Sequence, residues 1–158
     1  MAVLGRGMQV RAGAGVGWMQ FRVVTTPVPL CVMTGLVPVD SFVTDDQYPG
    51  RDAGIPSGGW RGNGHVAWTL PGPAPAIGTV MFGQGERVMV VLDCRQEPLV
   101  RLLVNSRPRQ VHHLTPPAGG PVAILCPAIA LVGGASNGAA SVEVEAEAPL
   151  PDGWDAAP

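Results

Sequence analysis

The stretch from Gly85 to Leu114, GERVMVVLDCRQEPLVRLLVNSRPRQVHHL, reads as three consecutive β-strands. Val88-Met89-Val90-Val91-Leu92 is an unbroken apolar run, as a strand covered on both faces would be. Arg95-Gln96-Glu97-Pro98 breaks it as a turn. In Leu99 to Val104, the residues Val100, Leu102 and Val104 share one face, and Leu99, Arg101 and Leu103 the other. Asn105-Ser106-Arg107-Pro108 turns the chain again, and a third strand starts at Gln110.

The rest of the chain repeats this pattern. Met8 to Arg11 reads as a short strand. Trp18 to Val24 alternates, with Trp18, Gln20 and Arg22 against Met19, Phe21 and Val23. Further strands are expected at Leu30 to Leu36, His65 to Leu70, Thr79 to Phe82 and Ala140 to Glu147. Val122 to Val132 is apolar, but Pro127 should split it in two or place it at a sheet edge. Asp40 to Asn63 reads as one long surface loop pinned by Tyr48, Ile55 and Trp60. Trp18 and Trp68 are expected in the core. No segment combines helical period with caps. Nine or ten short strands without helix imply an all-β sandwich or barrel. Residues 1–147 make one domain, and 148–158 a flexible C-terminal tail.

Composition narrows the function. The chain has 158 residues, 46% of them apolar and 14% charged, which is too apolar for disorder. Its 22 glycines and 17 prolines cluster between the apolar runs, as turns in a β-domain do. The net charge of −2 supplies no bulk attraction to nucleic acid or an anionic membrane. No apolar stretch reaches the ~20 residues of a membrane span. Cys31, Cys94 and Cys126 lie in or beside apolar runs without a CxxC pair. They read as buried free thiols of a reducing intracellular compartment such as the cytoplasm. No motif calls for a metal or another cofactor. Asp45, Asp46 and Asp52 match no EF-hand spacing. His112 and His113 are adjacent on a strand and cannot line one site. No catalytic constellation is legible, so binding rather than catalysis is expected.

In this order the motifs resemble those of a SPRY domain, the core of the B30.2 module. GWMQFRV (Gly17 to Val23) is similar to the family's opening strand, and VMTGLVPVD (Val32 to Asp40) to its Val-Gly strand. YPGRDAGIPSGGWRGNGHVAW places Trp60 at the family's Trp position and Gly64 at a later Gly. GQGERVMVVLD (Gly83 to Asp93) resembles the Gly-Asp-x-Val-Gly strand, with Glu86 for Asp and Met89 for Gly. LVRLLVNSRP (Leu99 to Pro108) resembles the Leu-x-Phe-x-Val-Asn-Gly hairpin, with Ser106 for Gly. CPAIALVGGASNGAASVEV (Cys126 to Val144) resembles the two closing strands.

The resemblance implies a bent antiparallel two-sheet β-sandwich of the concanavalin A-like type. It also implies a non-enzymatic adaptor that captures a protein or peptide partner on loops at one end. The loop aromatic and Arg groups suited to that task are Tyr48, Arg51, Trp60, Arg61 and Arg107. On this reading, alanine at Tyr48, Arg51 or Trp60 removes binding and spares stability. Trp60 has a second reading, folded back over the sheet edge. The alternative function is a lectin-like carbohydrate-binding module, with Trp60 or Tyr48 stacking on a sugar beside Asp45, Asp46 or Asp52.

Overall fold

The computed structural model describes residues 2–26, 32–39, 49–51, 54–115, 124–131 and 140–151. Among these there is no helix; eleven strands form two antiparallel sheets. Numbering follows chain order. In the six-stranded sheet, β1 (Ala2–Leu4) and β2 (Met8–Gln9) share one flank of β10 (Ile124–Leu131). On the other flank follow β4 (Val32–Pro38), β5 (Gly58–Arg61) and β6 (Val66–Trp68). The five-stranded sheet runs β11 (Ser141–Val144), β3 (Gly15–Thr25), β7 (Arg87–Cys94), β8 (Leu99–Val104) and β9 (Arg107–His113). The expected sandwich is present, and β7, β8 and β9 pair as the sequence implied.

The core lies between the sheets. Phe21 and Val23 of β3, Val88, Val90 and Leu92 of β7, and Val100, Leu102 and Val104 of β8 belong to the same cluster as Val32, Leu36, Trp60, Leu125 and Ile129 of the other sheet. The two-residue period puts Trp18 on the outer face, where it is 36% exposed and not in the core as expected.

Three further expectations are corrected. The long loop is shorter, because Gly58–Arg61 pairs with both β4 and β6. Glycine permits this: a Cβ on Gly35 would strike the Gly58 carbonyl, and one on Gly58 would strike the Trp68 ring. Thr79 to Phe82 is not a strand. Its segment makes single backbone bonds, Gly78 N to Gly64 O and Phe82 N to Gly62 O, and no ladder. Val80 and Phe82 still bury their side chains. Finally, Pro127 neither splits β10 nor sits at an edge, since β10 pairs with β4 along its whole length. The Pro127 carbonyl accepts from Gly5 N at 2.7 Å. On a strand the N of the same residue faces the same neighbour, so its missing donor faces the β1 flank. There the neighbour is interrupted, β1 ending at Leu4 and β2 starting at Met8. The flanking strand breaks, and the proline-bearing strand stays whole.

The β8–β9 turn is tighter than the four residues expected. Asn105 (φ 52°) and Ser106 (φ 65°) both lie in the left-handed region, as a two-residue type I′ hairpin requires. Asn105 tolerates this and bonds Arg87 N through Oδ1 (3.0 Å) and Glu86 Oε2 through Nδ2 (3.1 Å). Ser106 has no amide side chain suited to this region, so Ser106→Gly should stabilise the domain by about 0.5–1 kcal/mol. Urea denaturation reads this as a higher midpoint at unchanged slope.

Cys94 and Cys126 are buried free thiols. Burial pushes both up to about 11, so at neutral pH they are protonated and poor nucleophiles. Cys31 lies outside the described residues.

Candidate functional site

One end of the sandwich is built from loops of both sheets joined by backbone hydrogen bonds. The β5–β6 turn docks on β4 through Gly62 N to Val32 O (3.1 Å), and Phe82 N donates to Gly62 O (3.1 Å). Gly78 N donates to Gly64 O (2.9 Å). In the other sheet Gly85 N donates to Val23 O (2.8 Å), Val23 N to Glu86 O (2.9 Å) and Asn105 N to Arg87 O (2.8 Å). The 76–86 segment thus spans the two sheets, and Thr79 Oγ1 ties it to Gln110 Oε1 of β9 at 2.6 Å.

On this end sit the two most exposed large apolar side chains among the described residues, Ile77 at 69% and Met81 at 62%. Ile77 precedes Gly78, and Met81 Cγ would lie 3.4 Å from a Cβ placed on Gly64. Arg61 closes β5, half-buried, and the exposed Arg107 opens β9 at the same end.

The sequence candidates therefore divide. Arg61 and Arg107 share this end. Arg51 is exposed but does not join them: Gly50 N bonds Ser57 Oγ (2.7 Å) and a Cβ on Gly50 would strike Ala67, so the segment leading to Arg51 lies over the outer face of β5 and β6. Tyr48, Asp45, Asp46 and Asp52 lie outside the described residues. Trp60 is corrected as a contact residue: it is 0% exposed on the inner face of β5, with its ring edge-on to Trp68 at 5.4 Å. Register decides this, since Trp60 pairs with Thr34 and shares its inward side. Ile77 and Met81 were missed. Alternation within 79–82, with Val80 and Phe82 inward, already places Met81 outward.

The opposite end holds a charged cluster. Asp93, 2% exposed, accepts from Arg95 Nε (3.0 Å), Arg95 Nη2 (2.8 Å) and Arg95 N (3.2 Å). Arg101 Nε lies 3.7 Å from its Oδ2. Burial raises the Asp93 carboxyl, but the Arg95 hydrogen bonds and the two guanidinium charges outweigh it, holding the group below 3.8. The backbone bond from Arg95 closes the turn after β7. His113 borders the same outer-face hollow as Asp93. His112 points the other way, edge-on to Trp68 at 5.0 Å, with Nε2 3.0 Å from Pro73 O. Burial lowers its affinity for a proton. Among the described residues no three His, Cys, Asp or Glu converge as metal ligands.

The arrangement is that of a two-sheet β-sandwich displaying ordered loops. Comparison with solved structures identifies which one. The SPRY domain of human HERC1 superposes with a TM-score of 0.59 at 13% identity, over 90% of this chain and 80% of that one. A second human SPRY domain gives 0.60 at 15% identity, over 94% and 86%. The carbohydrate recognition domain of Emp47p gives 0.49 at 14% identity, over 90% and 74%, too distant to carry an argument about sugars. No family model matches the sequence, and no curated protein does. The chain has the SPRY fold, as its motifs implied.

Proposed function

We propose that this chain is a non-enzymatic protein-interaction domain of the adaptor kind. It captures a peptide or protein partner on the loop end that carries Ile77, Met81, Arg61 and Arg107. The observation that carries the reading is an exposed apolar pair on a segment hydrogen-bonded into both sheets. Apolar side chains held out on a rigid frame lose little entropy on binding, and basic neighbours supply a polar rim. The titratable groups described here support binding over chemistry: Asp93 is saturated by arginine, His112 is wedged against Trp68, and the thiols stay protonated. Buried free thiols favour a reducing compartment. No helix among the described residues is long and apolar enough to cross a membrane. We assign 1–151 to the domain in place of the expected 1–147, because Ala148 and Leu150 of the expected tail pack on the five-stranded sheet. The lectin-like alternative loses Trp60 as a stacking surface, and its other candidate, Tyr48, lies outside the described residues.

The test pairs Ile77→Asp with Met81→Asp in affinity capture from the protein's own cell extract. Both substitutions should remove specifically retained partners while shifting the melting temperature by no more than a few degrees, because the side chains are exposed. Unchanged recovery from both variants would sink the loop-end reading.

A further inference from the structure

The outer face of the five-stranded sheet is apolar at its centre, where a one-sided sheet would be polar. Met89, Val91 and Leu103 point away from the core between the sheets, yet are 4%, 0% and 1% exposed. Their cover includes Ala148 and Leu150 of the chain's own C-terminal segment, together with Val16.

That segment is fastened at one end only among its described residues. Glu145 is held by Arg87 Nε (2.9 Å) and Gln20 Nε2 (3.4 Å). Ala148 N then donates to Glu145 O (3.1 Å), and Trp18 Nε1 donates to Ala148 O (2.9 Å). Beyond Ala148 come Pro149, Leu150 and Pro151, and the two prolines have no N–H to add to a ladder. Leu150 packs on Met89, Val91 and Leu103. Beside this strap lies a cavity of about 400 Å³, floored by Gln20, Met89, Leu103 and Ser106. The groove is therefore wider than its occupant. Met89 and Leu103 make its floor partly apolar, Gln20 and Ser106 add an amide and a hydroxyl, and the Trp18 indole N–H lies where it reaches Ala148 O.

We propose that this face is a docking groove for an extended segment with a leucine between prolines. Ala148–Pro151 is its occupant in cis, and a partner segment of the same chemistry binds when the strap lifts. Such proline-flanked segments are already extended when free, so little ordering cost opposes their docking. The groove lies on the outer sheet face, reaches the loop end only at Ser106 and uses none of Ile77, Met81, Arg61 and Arg107, so failure here leaves the proposed function standing.

The test titrates a fluorescent peptide, Glu-Ala-Pro-Leu-Pro-Asp, into the full-length chain and into its Leu150→Ser variant. Removing the resident leucine should tighten peptide binding by about tenfold or more, because the cis competitor is weakened. A peptide with Ser in place of Leu should not bind. Equal affinity of wild type and Leu150→Ser, or equal binding of both peptides, would overturn the proposal. So would a concentration-dependent dimer of the wild type that Leu150→Ser abolishes, since the strap of a second copy would then be the occupant.

Discussion

Replacing Trp60 with alanine is expected to destabilise the domain by about 3–5 kcal/mol, the range for emptying a buried aromatic site. The indole is fully buried among residues of both sheets and meets Trp68 edge-on. Its removal leaves a cavity that β4 and β5 cannot close, because their backbones are already in contact at Gly35 and Gly58. The loss should show as a lower denaturant midpoint at unchanged slope. Trp60→Phe should cost much less. Its Nε1 has no hydrogen-bond partner among the described residues, so phenylalanine gives up volume but no bond. A loss below about 1 kcal/mol for alanine would mean that the ring is not in the core.

The second large effect is expected at Asp93. Asp93→Ala removes the anion shared by Arg95 and Arg101, leaving two largely buried guanidiniums beside each other. Removing one member of a buried pair costs about 3 kcal/mol or more. The pH dependence follows from the lowered carboxyl. Its folded value lies below its unfolded one, so the stabilisation is complete above the unfolded value and fades as pH falls through the folded value. Thermal melts below about pH 4 should therefore show a loss of stability that Asp93→Asn partly flattens. An identical acid limb in both proteins would refute this account of Asp93.

These two sites show how differently sequence exposes its information. Asp93 closes its turn on Arg95, only two residues away, so the local sequence contains both partners. Trp60 offered two readings, one exposed and one folded back. Its burial depends on pairing with Thr34, far away in the chain. The loop candidates behaved likewise. Residues of the right chemistry were named, but Arg61 and Arg107 share one end while Arg51 follows a segment laid over β5 and β6, which residue type cannot reveal. Met81 was hidden by reading its segment as an ordinary strand, although its neighbours Val80 and Phe82 already turned it outward.

Local order along the chain determined that the described residues form a stack of strands without helix, and which residues of β3, β7 and β8 face inward. Side-chain alternation has a period of two residues and needs no distant partner to be read. The unbroken run Val88 to Leu92 even announced that β7 is covered twice. What covers its second face, Ala148 and Leu150, only the tertiary structure decided, as it did how β10 keeps Pro127 and which loops share an end. Those outcomes depend on strand order and register between segments distant in sequence, which local composition does not encode.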